Sequence, residues 1–107
     1  MKVLIDECVP RKFKNSLPDH ECQTAPEAGM AGQKNGRLLS LAESAGFDLF
    51  ITMDKGLQYQ QNLTGRNIRI LLLHAKSNRL HDLLPLVEAC RLRMSSVLPG
   101  EVIRVGE

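Results

Sequence analysis

The chain has no tryptophan and only four other aromatic residues, Phe13, Phe47, Phe50 and Tyr59. Its core must therefore be built from Leu, Val, Ile, Ala and Met, and no aromatic platform for stacking single-stranded bases stands out. Cysteine is scarce too. Cys8, Cys22 and Cys90 form no C-x-x-C pair and leave an odd count, which argues against a disulfide framework and for reduced thiols in a cytoplasmic protein. No apolar run approaches the roughly 20 residues of a membrane span, so no membrane partner is expected. The strand-like opening segment has neither the apolar length nor the cleavage site of a signal peptide. An excess of one charge is missing as well: 14 basic residues face 12 acidic ones, for a net +2. The short run Arg11, Lys12 and Lys14 reads more readily as a solvated helix face than as a phosphate track.

Several catalytic signatures are also absent. There is no G-x-x-x-x-G-K-[ST] or G-x-G-x-x-G, which argues against a standard P-loop or dinucleotide domain. No G-x-S-x-G elbow marks a serine hydrolase. His20, His74, His81 and the cysteines lack zinc-finger spacing. What remains is an ordinary globular composition, 43% apolar and 24% charged over 107 residues, with no internal shift. This is the size and make-up of one domain spanning 1–107.

Hydrophobic patterning alternates strands with helices. Val3–Ile5 is a short β-branched apolar run ended by Asp6 and Glu7, and it reads as a buried strand. Pro10 then opens a helix in which Val9, Phe13 and Leu17 share a face before Pro18 breaks it. His20–Thr24 is polar enough for an edge strand. A glycine loop, Gly29 to Gly36, leads to Asn35 as N-cap of a helix with Leu38, Leu39, Ala42 and Ala45 on one face and Gly46 as its stop. Asp48–Thr52 is a strand running into Met53 and Asp54, followed by a helical turn over Leu57–Gln61. Ile68–Leu73, almost continuously apolar, should be central and covered on both faces. Ser77 or Asn78 caps a long stretch with a stripe of Leu80, Leu83, Leu84, Val87 and Met94, which Pro85 should kink or split. Glu101–Val105 forms a last strand. The pattern predicts an α/β fold with a mostly parallel sheet of four to five strands between helices.

In such sheets ligands sit at the carboxyl ends of strands, near the point where strand order reverses. Asp6 and Glu7 end the first strand and Asp54 follows the third, so a parallel arrangement places three carboxylates at one rim. Like charges brought together cost several kcal/mol unless one is protonated or a cation intervenes. Mg²⁺ or Mn²⁺ suits such oxygen donors and supplies the chemistry of phosphodiester hydrolysis. Each acid also has a structural alternative: Asp54 capping the turn that begins at Lys55, Asp6 closing a strand-to-helix turn, Glu7 simply solvated. Arg79, after Ser77 and Asn78 at a strand-to-helix junction, is placed either to hold a phosphate or to lie at the surface.

The opening Met-Lys-Val-Leu-Ile-Asp-Glu, the Gly32 loop before a Leu-rich helix, the segment Phe50-Ile51-Thr52-Met53-Asp54-Lys55 and the Arg79-Leu80 helix together resemble the short single-domain branch of the PIN-like family. The likeness runs over nearly the whole chain. It implies a three-layer PIN-like fold and a Mg²⁺- or Mn²⁺-dependent ribonuclease of the kind found as the toxin of a toxin–antitoxin pair. Its partners would be an RNA substrate, an antitoxin protein and a second copy in a homodimer. Asp6 and Asp54 would bind metal with Glu7 beside them, and Thr52 would support the site, with Asn35, Lys55 and Arg79 as further supporting or substrate-binding side chains. One departure matters: where relatives often carry an acid at the start of the helix after the second strand, this chain reads Lys34-Asn35-Gly36. An amide oxygen ligates without charge, which leaves open an inactive PIN-like binding module. A phosphoacceptor receiver domain is a third reading, since it also pairs acids after its first strand with an aspartate after its third; the lysine it needs after the last strand is missing from Val105-Gly106-Glu107.

Overall fold

The computed structural model describes residues 1–57, 63 and 65–106 and, at Asn35, the backbone alone. Among these residues the strands are β1 (Lys2–Ile5), β2 (Glu21–Thr24), β3 (Leu49–Thr52), β4 (Arg69–His74) and β5 (Val102–Gly106). They form one sheet in the order β2-β1-β3-β4-β5, and every neighbouring pair is parallel. The fold is α/β, as the alternation predicts. Helical segments are a 3₁₀ turn at Arg11–Ser16, α1 (Asn35–Ser44), α2 (Leu80–Leu83), a second 3₁₀ turn at Leu84–Leu86, and α3 (Val87–Met94). No helix among the described residues is long and apolar enough to cross a membrane.

Strand side chains alternate between two cores, one on each face of the sheet. Val3, Ile5, Leu49, Ile51, Leu71, Leu73 and Val105 meet Val9, Phe13 and Leu17 around the first 3₁₀ turn, and Leu83, Cys90 and Met94 from α2 and α3. On the other face Leu4, Phe50 and Ile70 meet Leu38, Leu39 and Ala42 of α1, with Phe47 and Leu57. Helices thus cover both faces and give three layers. β4 is buried along four successive residues, as its apolar run requires, and β5 pairs beside it at the sheet edge. β2 lies at the opposite edge, where its polar sequence suits it.

Several local expectations need correction. The segment after Pro10 is a 3₁₀ turn rather than an α-helix, with Pro10 at the cap position, although Val9, Phe13 and Leu17 are buried together as the spacing implies. Lys34, not Asn35, occupies the cap of α1, with extended dihedrals (φ −79°, ψ 157°), and Asn35 is already helical. Ala45 is exposed because α1 ends before it; Gly46, at φ +84°, turns the chain back toward the sheet. Pro85 splits the long helical stretch, as its missing amide predicts, into two α segments around a 3₁₀ turn. That break rotates Leu84 out of the apolar stripe, and it is 45% exposed while Leu83 is fully buried. Residues 58–61 of the turn expected after Asp54 lie outside the described residues; Leu57 at its start is buried. The three cysteines are free thiols, as their spacing implies, and burial pushes Cys90 up to about 12.

Candidate active site at the carboxyl edge of the sheet

Strand order reverses between β1 and β3, the two strands whose carboxyl ends carry Asp6 and Thr52. The ladder continues one residue beyond β1: the Asp6 amide donates to the Ile51 carbonyl at 2.9 Å. This fixes Asp6 beside Thr52 across the strand pair. Thr52 is wholly buried, and its hydroxyl has one hydrogen to give. It donates that hydrogen to Asp6 Oδ2 at 2.7 Å and accepts the Asp54 amide at 3.1 Å. A single hydroxyl therefore joins the two aspartates predicted to share a site. Asp6 Oδ1 takes the Glu7 amide at 2.8 Å, and Asp54 Oδ1 takes the Gly56 amide at 3.0 Å.

Cys8 completes this cluster, with Sγ 3.5 Å from Asp6 Oδ2 and 3.8 Å from Thr52 Oγ1. Burial pushes its thiol above the ordinary value; the Met53 backbone opposes that shift and the Asp6 carboxylate adds to it. A protonated thiol suits the S–H donor role toward Asp6.

Glu7 follows a different direction. It is exposed, and its Oε1 accepts the Gly32 amide at 2.6 Å, so it tethers the glycine loop to the end of β1. Among the described residues no group of three or more His, Cys, Asp or Glu side chains is arranged to hold a metal ion. Each of the three acids accepts a separate backbone amide. The donor set itself, carboxylate and hydroxyl oxygens at adjoining strand ends, fits a hard cation that keeps waters in its shell. Asp6 and Asp54 adjoin the same Thr52 hydroxyl, whereas Glu7 is turned to the Gly32 loop.

A cleft of about 460 Å³ opens beside Asp6 and Glu7, walled by Val9 and Arg11 on one side and by Thr24, Pro26 and Glu27 on the other. Thr24 and Glu27 bond reciprocally: the Glu27 amide donates to Thr24 Oγ1 at 3.3 Å and the Thr24 amide to Glu27 Oε1 at 2.9 Å. Lys14 also holds Glu27, as an ion pair. The Lys14 ammonium, with the Thr24 amide, lowers the Glu27 carboxyl to about 2. Thr24 and Glu27 went unnoticed in the sequence, yet T-x-x-E is the readable pattern of such a reciprocal cap. Arg11, read there as a solvated face, lines this cleft.

On the far side of β3, at the end of β4, a second cleft of about 300 Å³ is lined by Lys76, Ser77, Arg79, His81 and Asp82. Arg79 holds the cap position of α2, one place beyond the residues expected there; Ser77 Oγ accepts its amide at 3.0 Å and donates to Asp82. Asn78 reaches across to the β1 loop, its side-chain amide donating to the Cys8 carbonyl at 3.2 Å. Lys55 follows Asp54 and is exposed, and the Asn35 side chain lies outside the described part of the structure.

Comparison of the chain with protein-family models, with curated protein sequences and with solved structures gives no match.

Proposed function

We propose that the chain is a Mg²⁺- or Mn²⁺-dependent ribonuclease of the PIN-like type, acting in the cytoplasm on RNA phosphodiesters as the toxin of a toxin–antitoxin pair. The observation that carries this reading is the Thr52 hydroxyl bonded to both Asp6 and the Asp54 amide at the strand-order reversal. Asp6 and Asp54 are the residues that would hold the ion. When bound, it supplies a polarised phosphate oxygen and a water of lowered pKa. Thr52 orients Asp6, the Glu7 amide fixes its other oxygen, and the β1 and β3 ladders keep the two strand ends in register.

Purified protein should cleave single-stranded RNA when Mg²⁺ or Mn²⁺ is added and stop when the metal is chelated. Asp6→Asn and Asp54→Asn proteins should each fall to the background rate. Equal cleavage by wild type and both variants would refute the assignment. RNA binding without cleavage under any metal would make the chain the inactive binding module instead. An antitoxin or a second copy covering this rim would appear as a stable complex on co-purification or as a dimer mass in solution.

One observation favours a second reading. The order 2-1-3-4-5 is also that of receiver domains, which carry their phosphoacceptor after the third strand. Here β5 runs to Gly106 without a lysine, and the lysines at this rim are Lys55, after β3, and Lys76, after β4. Incubation with a small phosphodonor followed by intact-mass measurement separates the two, because a nuclease gains no phosphate.

A further inference from the structure

We propose that the cleft at the end of β4 is a phosphate subsite, in which Lys76 and Arg79 hold a backbone phosphate of an RNA strand whose neighbouring phosphodiester lies at Asp6; the proposal rests on the ribonuclease reading. Within the cleft the one carboxylate is already engaged. Asp82 accepts the Ser77 hydroxyl and lies 3.2 Å from His81 Nε2, and the Ser77 hydrogen bond is the largest cause of its lowered carboxyl pKa. Lys76 and Arg79 act on it only through space. Among the described residues neither the Lys76 ammonium nor the Arg79 guanidinium has a hydrogen-bond or ion-pair partner within the protein. Two unengaged cations beside a satisfied acid leave a cleft with positive charge to give. The forked guanidinium and the compact ammonium together are a recurrent way of binding a phosphate.

Placement supports RNA rather than a free anion. Strands about 4.8 Å apart put the end of β4 roughly 10 Å from that of β1, a distance that the backbone of one RNA strand spans between a phosphate and the next one or two along it. The Asn78 hydrogen bond to the Cys8 carbonyl ties this loop to the loop carrying Asp6. The cationic cleft and the acids are thereby held at a fixed offset, as a strand gripped at one phosphate and presented at the next would require.

The test uses the full chain with metal chelated, so that binding is read without cleavage. A short fluorescently labelled single-stranded RNA is titrated at several salt concentrations into wild type, Lys76→Ala, Arg79→Ala and Asp6→Asn. Both residues are exposed, so the two alanine variants should keep the wild-type melting temperature. Each should bind about tenfold more weakly, with the slope of log affinity against log salt reduced by about 0.7. Asp6→Asn should bind at least as tightly as wild type. Inorganic phosphate should compete only at concentrations far above those of the RNA; equal competition would assign the cleft to a free phosphate and overturn the RNA proposal. Wild-type affinity and slope in both alanine variants, or no RNA binding by wild type, would also overturn it. Unchanged binding together with metal-dependent cleavage leaves the ribonuclease standing without this subsite, whereas weakened binding in a protein that never cleaves keeps the subsite and removes the ribonuclease.

Discussion

At the scale of single residues the most informative position is Thr52, because two functions meet in one hydroxyl. Replacing it with valine keeps the buried shape but leaves the Asp54 amide without that acceptor and Asp6 Oδ2 with only the Cys8 thiol. A stability loss of about 1–3 kcal/mol is expected from the unsatisfied groups, measurable as a lower urea midpoint. Cleavage should fall roughly 10–100-fold, as it does when a residue orienting a metal ligand is removed, and Thr52→Ser should restore most of both. The sequence made Asp6 and Asp54 legible because each directly follows an apolar run, and strand ends are easy to see. It did not make legible what each carboxylate touches. Glu7 sits beside Asp6 in sequence and yet turns to Gly32, since an unpaired loop amide is a nearer partner than a distant carboxylate. Cys8 and Asn78 carried no signal, because their contacts join loops 70 residues apart in the chain.

At the scale of elements, all five strands were placed to within a residue or two: apolar runs marked β1, β3 and β4, where burial on both faces leaves little choice of residue, and polar or alternating segments marked the edge strands β2 and β5. Periodicity served less well where proline intervenes. The break at Pro85 is expected, but the stripe from Leu80 to Met94 carries a single helical phase across it, and the 3₁₀ turn at Leu84–Leu86 takes Leu84 out of that phase. Leu83→Ala should therefore cost about 2–5 kcal/mol, as a cavity beneath the sheet, and Leu84→Ala should stay within about 0.5 kcal/mol. Denaturant melts of the two variants distinguish the split helix from a continuous one, in which both leucines would face inward. The caps were misplaced by one residue at α1 and by one or two at α2, the ordinary reach of uncertainty at helix ends.

For the molecule as a whole, one ionic tie between layers has a pH signature. Glu27 joins Lys14 of the first 3₁₀ turn to the end of β2, and that ammonium, with the Thr24 amide, depresses its carboxyl from the ordinary 4.5 to about 2. A depressed folded-state value means the contribution is present in full above about pH 4.5 and is lost as pH falls toward 2. Glu27→Gln should therefore melt below wild type at neutral pH, with the gap closing across that window. A gap that is constant between pH 6 and about 2 would show that the tie contributes nothing through ionisation.

The position of β5 bears on how such a chain is made. Among the described residues it is the strand that pairs with the outer edge of β4, and it comes last of the five strands. A nascent chain therefore exposes β4, with four successive apolar residues, before β5 has cleared the ribosome, and for that interval β4 offers open amides and carbonyls to any nascent chain nearby. Gly106 closes the gap so tightly that an added Cβ would collide with the His74 carbonyl oxygen. Fragments stopping short of Val102 should accumulate as aggregates rather than as a smaller version of the same fold.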